Sequence, residues 1–385
     1  LISSVGTAAA QSLKIGFPVP LTGPQSPLGK DLRDGFQLYM DQIGSEVEGH
    51  DIEVFVTDTA SKPSQGISKV RELVESEGVD VLSGVINSGV AFGIRDYVTK
   101  NQIPLVLGNA GAPGLTQEKR SPFILRVSFE NGQHDRFGGW YAYNKMGYRD
   151  IVTVAWDYSA GRDKAASFQK AFKKAGGNIV NEYYAPLGTS DFAPYLTNII
   201  SQRNQIDAVW AFMAGSDAIK FIKQYSSYGL KDQVELFPIG DLLAQDVLPA
   251  MGDAAIGIKN YTHYAWTLQT EENQQFVEAY RDEYGDFPSI FSEQGYVAAR
   301  VITESVKEVN GNIDNTFHWL SAMRSARFMA PRGQFQFDSL QNVILPVYLR
   351  EVKRVDGELQ NVITGKISNI DQFWKPEYMQ IQSME

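Results

Sequence analysis

None of the 385 residues is a cysteine. This excludes disulfides, thiolate nucleophiles, cysteine-type zinc sites and an N-terminal cysteine for lipid anchoring. No stretch reaches the ~18 unbroken apolar residues that a membrane span requires. The spaced glycines of phosphate loops are also missing. Neither G-x-G-x-x-G nor G-x-x-x-x-G-K-[ST] occurs, and there is no G-x-S-x-G elbow. The four histidines, His50, His134, His263 and His318, are scattered, and none forms H-E-x-x-H. No metal site and no cofactor are therefore expected. Basic residues are outnumbered: 35 Lys and Arg face 45 Asp and Glu, a net charge of −10 that repels nucleic-acid phosphates. A small anion is still admissible, because it responds to local N–H donors more than to total charge.

What is present fits a globular chain of two domains, 43% hydrophobic and 21% charged, too long for one ordinary core. Residues 1–11 read as a leader or the remnant of a secretory signal. Ala8-Ala9-Ala10 supplies the small-x-small pattern, with cleavage after Ala10 and export as the consequence. From 13 onward strand and helix patterns alternate. Strands are expected at 13–19, 50–58, 79–85, 103–108 and 123–128, and helices at 30–43 and 63–78. The first of these helices places Leu32, Phe36, Met40 and Ile43 on one face and Asp31 in its first turn. The rhythm restarts with strands at 150–157, 178–184, 206–213 and 234–240, and with helices at 161–177, 190–204 and 216–229. Such alternation predicts an α/β fold with two parallel sheets, each covered by helices. After 258 the pattern loosens, and that tail is expected to finish the first two domains without forming a complete third sheet.

Ligands of open parallel sheets sit beyond the carboxyl ends of the strands. The loops expected there are small and polar. They include Asn87-Ser88-Gly89, Asn109-Ala110-Gly111, Tyr158-Ser159-Ala160, Ala214-Gly215-Ser216 and Asp241. A helix follows most of them at once, and a helix start offers free N–H groups to a carboxylate or phosphate. Ordinary βα turns favour the same residues, so no single loop identifies a site.

The segments "KIGFPVPLTGPQSPLGKDLRDGFQLYMDQI", "VDVLSGVINSGVA", "IPLVLGNAGAPGLT", "ILRVSFENGQ" and "AWDYSAGRDKAASFQKAFKKAGGNIV" occur in this order, followed by "GDAAIGIKNYTHYAW" and "FPSIFSEQGYVAARVI". Together they resemble the branched-chain amino-acid-type (type I) extracytoplasmic solute-binding proteins of ABC importers, over about residues 12–350. The resemblance implies two Rossmann-like lobes joined by a multi-segment hinge, with the ligand between them. One lobe would be 12–128 plus 259–333, and the other 129–258 plus 334–385. It also implies a periplasmic monomer that is no enzyme and that delivers a small carboxylate to ABC permease subunits.

By the same resemblance, Asn87, Ser88, Asn109, Ala110 and Gly111 would hold the ligand carboxylate through hydroxyl and backbone N–H groups. Leu28 falls where amino-acid binders often carry tyrosine. Ala160 and Ala214 fall near two further aromatic positions, and Phe291 matches an aromatic wall. Asp241 falls close to the acid that receives a ligand ammonium. The segment "AFMAGSDAIKFIKQY" resembles the subgroup that imports aromatic acids, for which Phe17, Tyr158, Phe212 and Phe291 could supply ring contacts. An aromatic acid of the benzoate or coumarate type is the expected ligand. A branched-chain or other amino acid is the alternative, and a ligand-sensing domain or an α/β enzyme stands further off.

Overall fold

A computed structural model describes residues 11–375 of the chain. The Ala8–Ala10 run lies outside the described residues. Two parallel sheets organise the two lobes. In the first, the strands run in the order 46–47, 50–58, 11–19, 81–82, 105–107 and 124–126, and only the first pair is antiparallel. Leu13, Ile15, Phe17 and Val19 are all fully buried in its strand Gln11–Val19. Gly16 lies between them because an added Cβ would lie 2.7 Å from Leu82 Cδ2. The second sheet orders its strands 235–236, 208–212, 150–156 and 178–185, all parallel. Its strand Ala208–Phe212 is buried from end to end, as expected when helices cover both faces.

The tail does form a sheet of its own, contrary to the sequence expectation. Lys259–Thr262, Gly333–Phe337 and Glu358–Ile370 all pair antiparallel with the long strand Val343–Val355, and Phe328–Ala330 pairs with Gly333–Phe337. The last hairpin closes at Asp356-Gly357, both with positive φ (51° and 88°), the conformation an Asp-Gly two-residue turn demands. Single bridges tie this sheet to both lobes: Arg126 pairs with Asn342, and Ile239 with Tyr261.

The first helix spans Ser26–Gln42, one turn earlier than the apolar periodicity predicts, with a proline in its first turn. Asp31 is consequently not in the first turn. It is buried, accepting hydrogen bonds from the hydroxyls of Tyr280 and Ser289, and burial pushes its carboxyl up to about 6. This helix packs on Ile290–Glu308 at two glycines. A Cβ on Gly35 would lie 1.8 Å from the Ser292 carbonyl oxygen, and one on Gly295 would lie 2.0 Å from that of Leu32. Residues far apart in the sequence thus close the first lobe. Among the described residues, no helix is long and apolar enough to cross a membrane.

Candidate ligand-binding cleft

The carboxyl ends of the two parallel sheets face each other across a closed cleft that leaves a cavity of about 10 Å³, room for about one water. From the first lobe, Leu28, Ser88, Asn109 and Gly111 line it; from the second, Tyr158, Ala160, Ala214 and Asp241 do. The lobes touch around it: a Cβ on Gly215 would lie 2.6 Å from the carbonyl oxygen of Pro24. A larger hollow of about 950 Å³ lies between the helix Glu271–Tyr284 and the third sheet, but none of the strand-end loops reaches it.

Four of the expected site residues are placed differently. Asn87 is the N-cap of the helix Ser88–Lys100: its side chain accepts from Gly89 N–H at 2.8 Å and donates to Gln25 Oε1 at 3.2 Å. It shapes the loop without lining the cavity. The N–H of Ala110 donates to the Val85 carbonyl at 2.9 Å and is therefore committed to the fold. Phe291 is fully buried in the helix Ile290–Glu308, away from the cavity lining, and Phe17 packs on Phe36 in the first lobe's core. Gly111 does face the cavity, and nothing larger fits there. An added Cβ would lie 2.4 Å from Asn131 Oδ1 and 2.9 Å from the Phe129 ring.

Ser88 is buried at the start of its helix, and its hydroxyl accepts from Asn131 Nδ2 at 3.4 Å. Asn131 Nδ2 also approaches Asp163 Oδ2 at 3.3 Å, so one amide contacts groups of both lobes. The opposite wall is aromatic. Trp156 meets Phe212 and Tyr158 edge-on, with ring centroids 5.9 and 6.0 Å apart, and the Trp156 indole N–H is held by Asp217 at 2.9 Å. Phe129 adds a fourth ring to the lining.

Sequence reasoning missed Ile86, Phe129, Asn131, Trp156 and, above all, Lys164. Lys164 sits one turn into the helix Ser159–Ala175, on the face that also buries Gly161, Ala165, Phe168 and Phe172. That spacing was the available signal: a lysine on the apolar face of an amphipathic helix. Its side chain is 1% exposed, and its ammonium lies 4.2 Å from the centroid of the Phe129 ring. It lies 3.9 Å from Asp135 Oδ2 and 3.9 Å from Asp241 Oδ2, close enough for charge attraction and too far for a hydrogen bond. Asp241 thus meets a protein cation. Beside this group, His134 and His263 stack at 5.2 Å, and burial pulls both imidazoles well below the usual histidine range.

Burial pushes the Asp135 carboxyl up to about 7; Lys164 opposes the shift and Asp241 adds to it. The folded chain therefore holds a proton there, between pH ~4 and ~7, that the unfolded chain releases. Stability from this group is greatest at acid pH and falls as pH rises through that window, by roughly 4 kcal/mol for the full shift. Asp135→Asn is expected to flatten the decline. Thermal unfolding between pH 5 and pH 8 checks this, and an unchanged slope in the variant would refute the assignment.

A family model described as periplasmic binding protein matches residues 12–358. The Leu/Ile/Val-binding protein homolog 6 of Brucella melitensis is 31% identical over 362 residues, covering 92% of this chain and 90% of that one. A solute-binding protein of an ABC transporter from R. palustris, solved with benzoate, is 33% identical. It has a TM-score of 0.88 and covers 94% of this chain and 98% of that chain. Another, from Rhodopseudomonas palustris BisB5 and solved with 3,4-dihydroxybenzoic acid, is 31% identical at a TM-score of 0.89, covering 94% and 99%.

Proposed function

Since this chain belongs to the periplasmic binding protein family, we propose that it captures a small aromatic carboxylate between its lobes and delivers it to the permease of an ABC importer. The observation that carries this reading is the set of residues that lines the cleft. The closed cleft has Ser88 and a helix start at one side and the rings of Phe129, Trp156, Tyr158 and Phe212 around the rest. Ala160 and Ala214 add small side chains to that lining. Relatives solved with benzoate and with 3,4-dihydroxybenzoic acid support the same ligand class.

In this reading the carboxylate docks at Ser88 and at Gly111, Asn87 positions the loop, and no catalysis is required. The lobes are 12–128 plus 259–333 and 129–258 plus 334–385, with crossings near Ser128–Asn131, Gly257–Tyr261 and Gly333–Phe337. The working form is an exported, periplasmic monomer.

Asp241 and the likeness to a Leu/Ile/Val-binding homolog support a second reading, an amino-acid ligand. Calorimetric titration with benzoate, 4-hydroxybenzoate and 4-coumarate beside leucine and phenylalanine decides between them. Binding of the amino acids with no response to the aromatic acids would overturn the first reading. Ser88→Ala removes one hydroxyl donor to a charged group and should weaken aromatic-acid binding by roughly 1.5–3 kcal/mol. Unchanged affinity would move the carboxylate elsewhere.

A further inference from the structure

Lys164 is a buried ammonium with no hydrogen-bond partner among the described residues, and it lines the cleft. Leaving such a group unpaired is costly, so its position calls for an oxygen. The structure assigns that oxygen to the ligand: we propose that Lys164 and Asp241 together read a phenolic hydroxyl at the end of the ligand remote from its carboxylate. This inference rests on the aromatic-acid reading and sharpens it to hydroxylated rings.

The geometry sets the chemistry. Lys164 Nζ and Asp241 Oδ2 stand 3.9 Å apart. An oxygen about 2.8 Å from both completes a triangle on that edge. It must accept from the ammonium and donate to the carboxylate at once. A hydroxyl does both. A ketone or a second carboxylate would accept from Lys164 but confront Asp241 acceptor to acceptor. A ligand ammonium could donate to Asp241, but it would stand beside the Lys164 cation in a buried site, where like charges repel strongly. A bare ring offers nothing to either group. Lys164 is held for this task by the Phe129 and Phe212 rings, 4.2 and 5.1 Å from its ammonium, and by Asp135 on its other side at 3.9 Å.

The test compares matched ligands of two lengths by calorimetry: benzoate with 4-hydroxybenzoate, and cinnamate with 4-coumarate. The wild-type chain is expected to prefer the hydroxylated member of at least one pair by about 10- to 100-fold, the worth of hydrogen bonds to charged groups. Lys164→Gln should shrink the preference to within about threefold while the bare acid still binds. Because Lys164→Gln leaves two carboxylates facing each other, Lys164→Gln combined with Asp135→Asn provides a charge-balanced second variant with the same expected loss of preference. If the wild type binds bare and hydroxylated acids equally, the Lys164 inference fails and the aromatic-acid reading stands. A preference that survives both variants also sinks the inference. If no aromatic acid binds the wild type, the ligand class itself is wrong, and the inference falls with it.

Discussion

Gly215→Val should lower affinity for the ligand by roughly 10- to 100-fold without unfolding the chain. Gly215 opens the helix Gly215–Ser227 in the second lobe, at a φ of +57°. An added Cβ would lie 2.6 Å from the Pro24 carbonyl oxygen and 3.0 Å from Leu28 Cδ1, both in the first lobe. The backbone oxygen cannot yield without moving the loop that carries it, so the clash arises only when the lobes meet. Overpacking of this kind costs about 1–3 kcal/mol. The left-handed backbone adds about 1–2 kcal/mol of strain, but that term is paid whether the lobes are apart or together and leaves affinity unchanged. Gly147→Ala separates the two effects. Its φ is +80° with nothing within 4 Å of the added Cβ, so it should lose stability and keep affinity. Calorimetry gives the affinities, and small-angle scattering with saturating ligand should show less compaction for Gly215→Val than for wild type. Equal affinity in wild type and Gly215→Val would show that ligand binding does not need this contact between lobes.

Arg332→Leu is expected to cost about 3–5 kcal/mol of stability. The Arg332 guanidinium and the Glu293 carboxylate form a buried ion pair, 1% and 0% exposed, with contacts of 2.8 and 2.7 Å. Arg332 also donates to the carbonyls of Val127 and Ser128 at 3.0 and 3.3 Å, and its own carbonyl accepts from the Tyr348 hydroxyl at 2.9 Å. One residue thus joins the first crossing between the lobes, the long helix Ile290–Glu308 and the third sheet. Removing the cation alone strands a buried carboxylate, which is why the single substitution is severe. Arg332→Met combined with Glu293→Leu removes both charges and should recover part of the loss. Chemical denaturation compares the three chains. A single variant no worse than the double would mean that the pair's charges do not matter there.

The alternating strand and helix periods, read locally, determined the two parallel sheets and the loops at their carboxyl ends. For that reason Ser88, Asn109, Gly111, Tyr158, Ala160, Ala214 and Asp241 were legible as strand-end loop residues, while the meeting of the two lobes' loops and the place of Leu28 among them came from likeness to a known family. Local period is set by the backbone geometry of each segment, so a short window suffices to show it. What the window cannot show is which partner meets a given face. Asp31 reads as a helix-start acid, yet it is buried against Tyr280 and Ser289, about 250 residues away along the chain. Ala110 reads as a free N–H until Val85 takes it. The third sheet depends on pairings between strands as distant as 259–262 and 343–355, whose partners are chosen by long-range contact rather than by their own pattern. Lys164 is the sharpest case. Its place on an apolar helical face was in the sequence, but only the packing of that helix against Phe129, Asp135 and Asp241 turned a surface-type residue into a buried cation facing the cleft. Its energy depends on surrounding charge and on exclusion of water, and both are properties of the assembled lobes, not of any one segment.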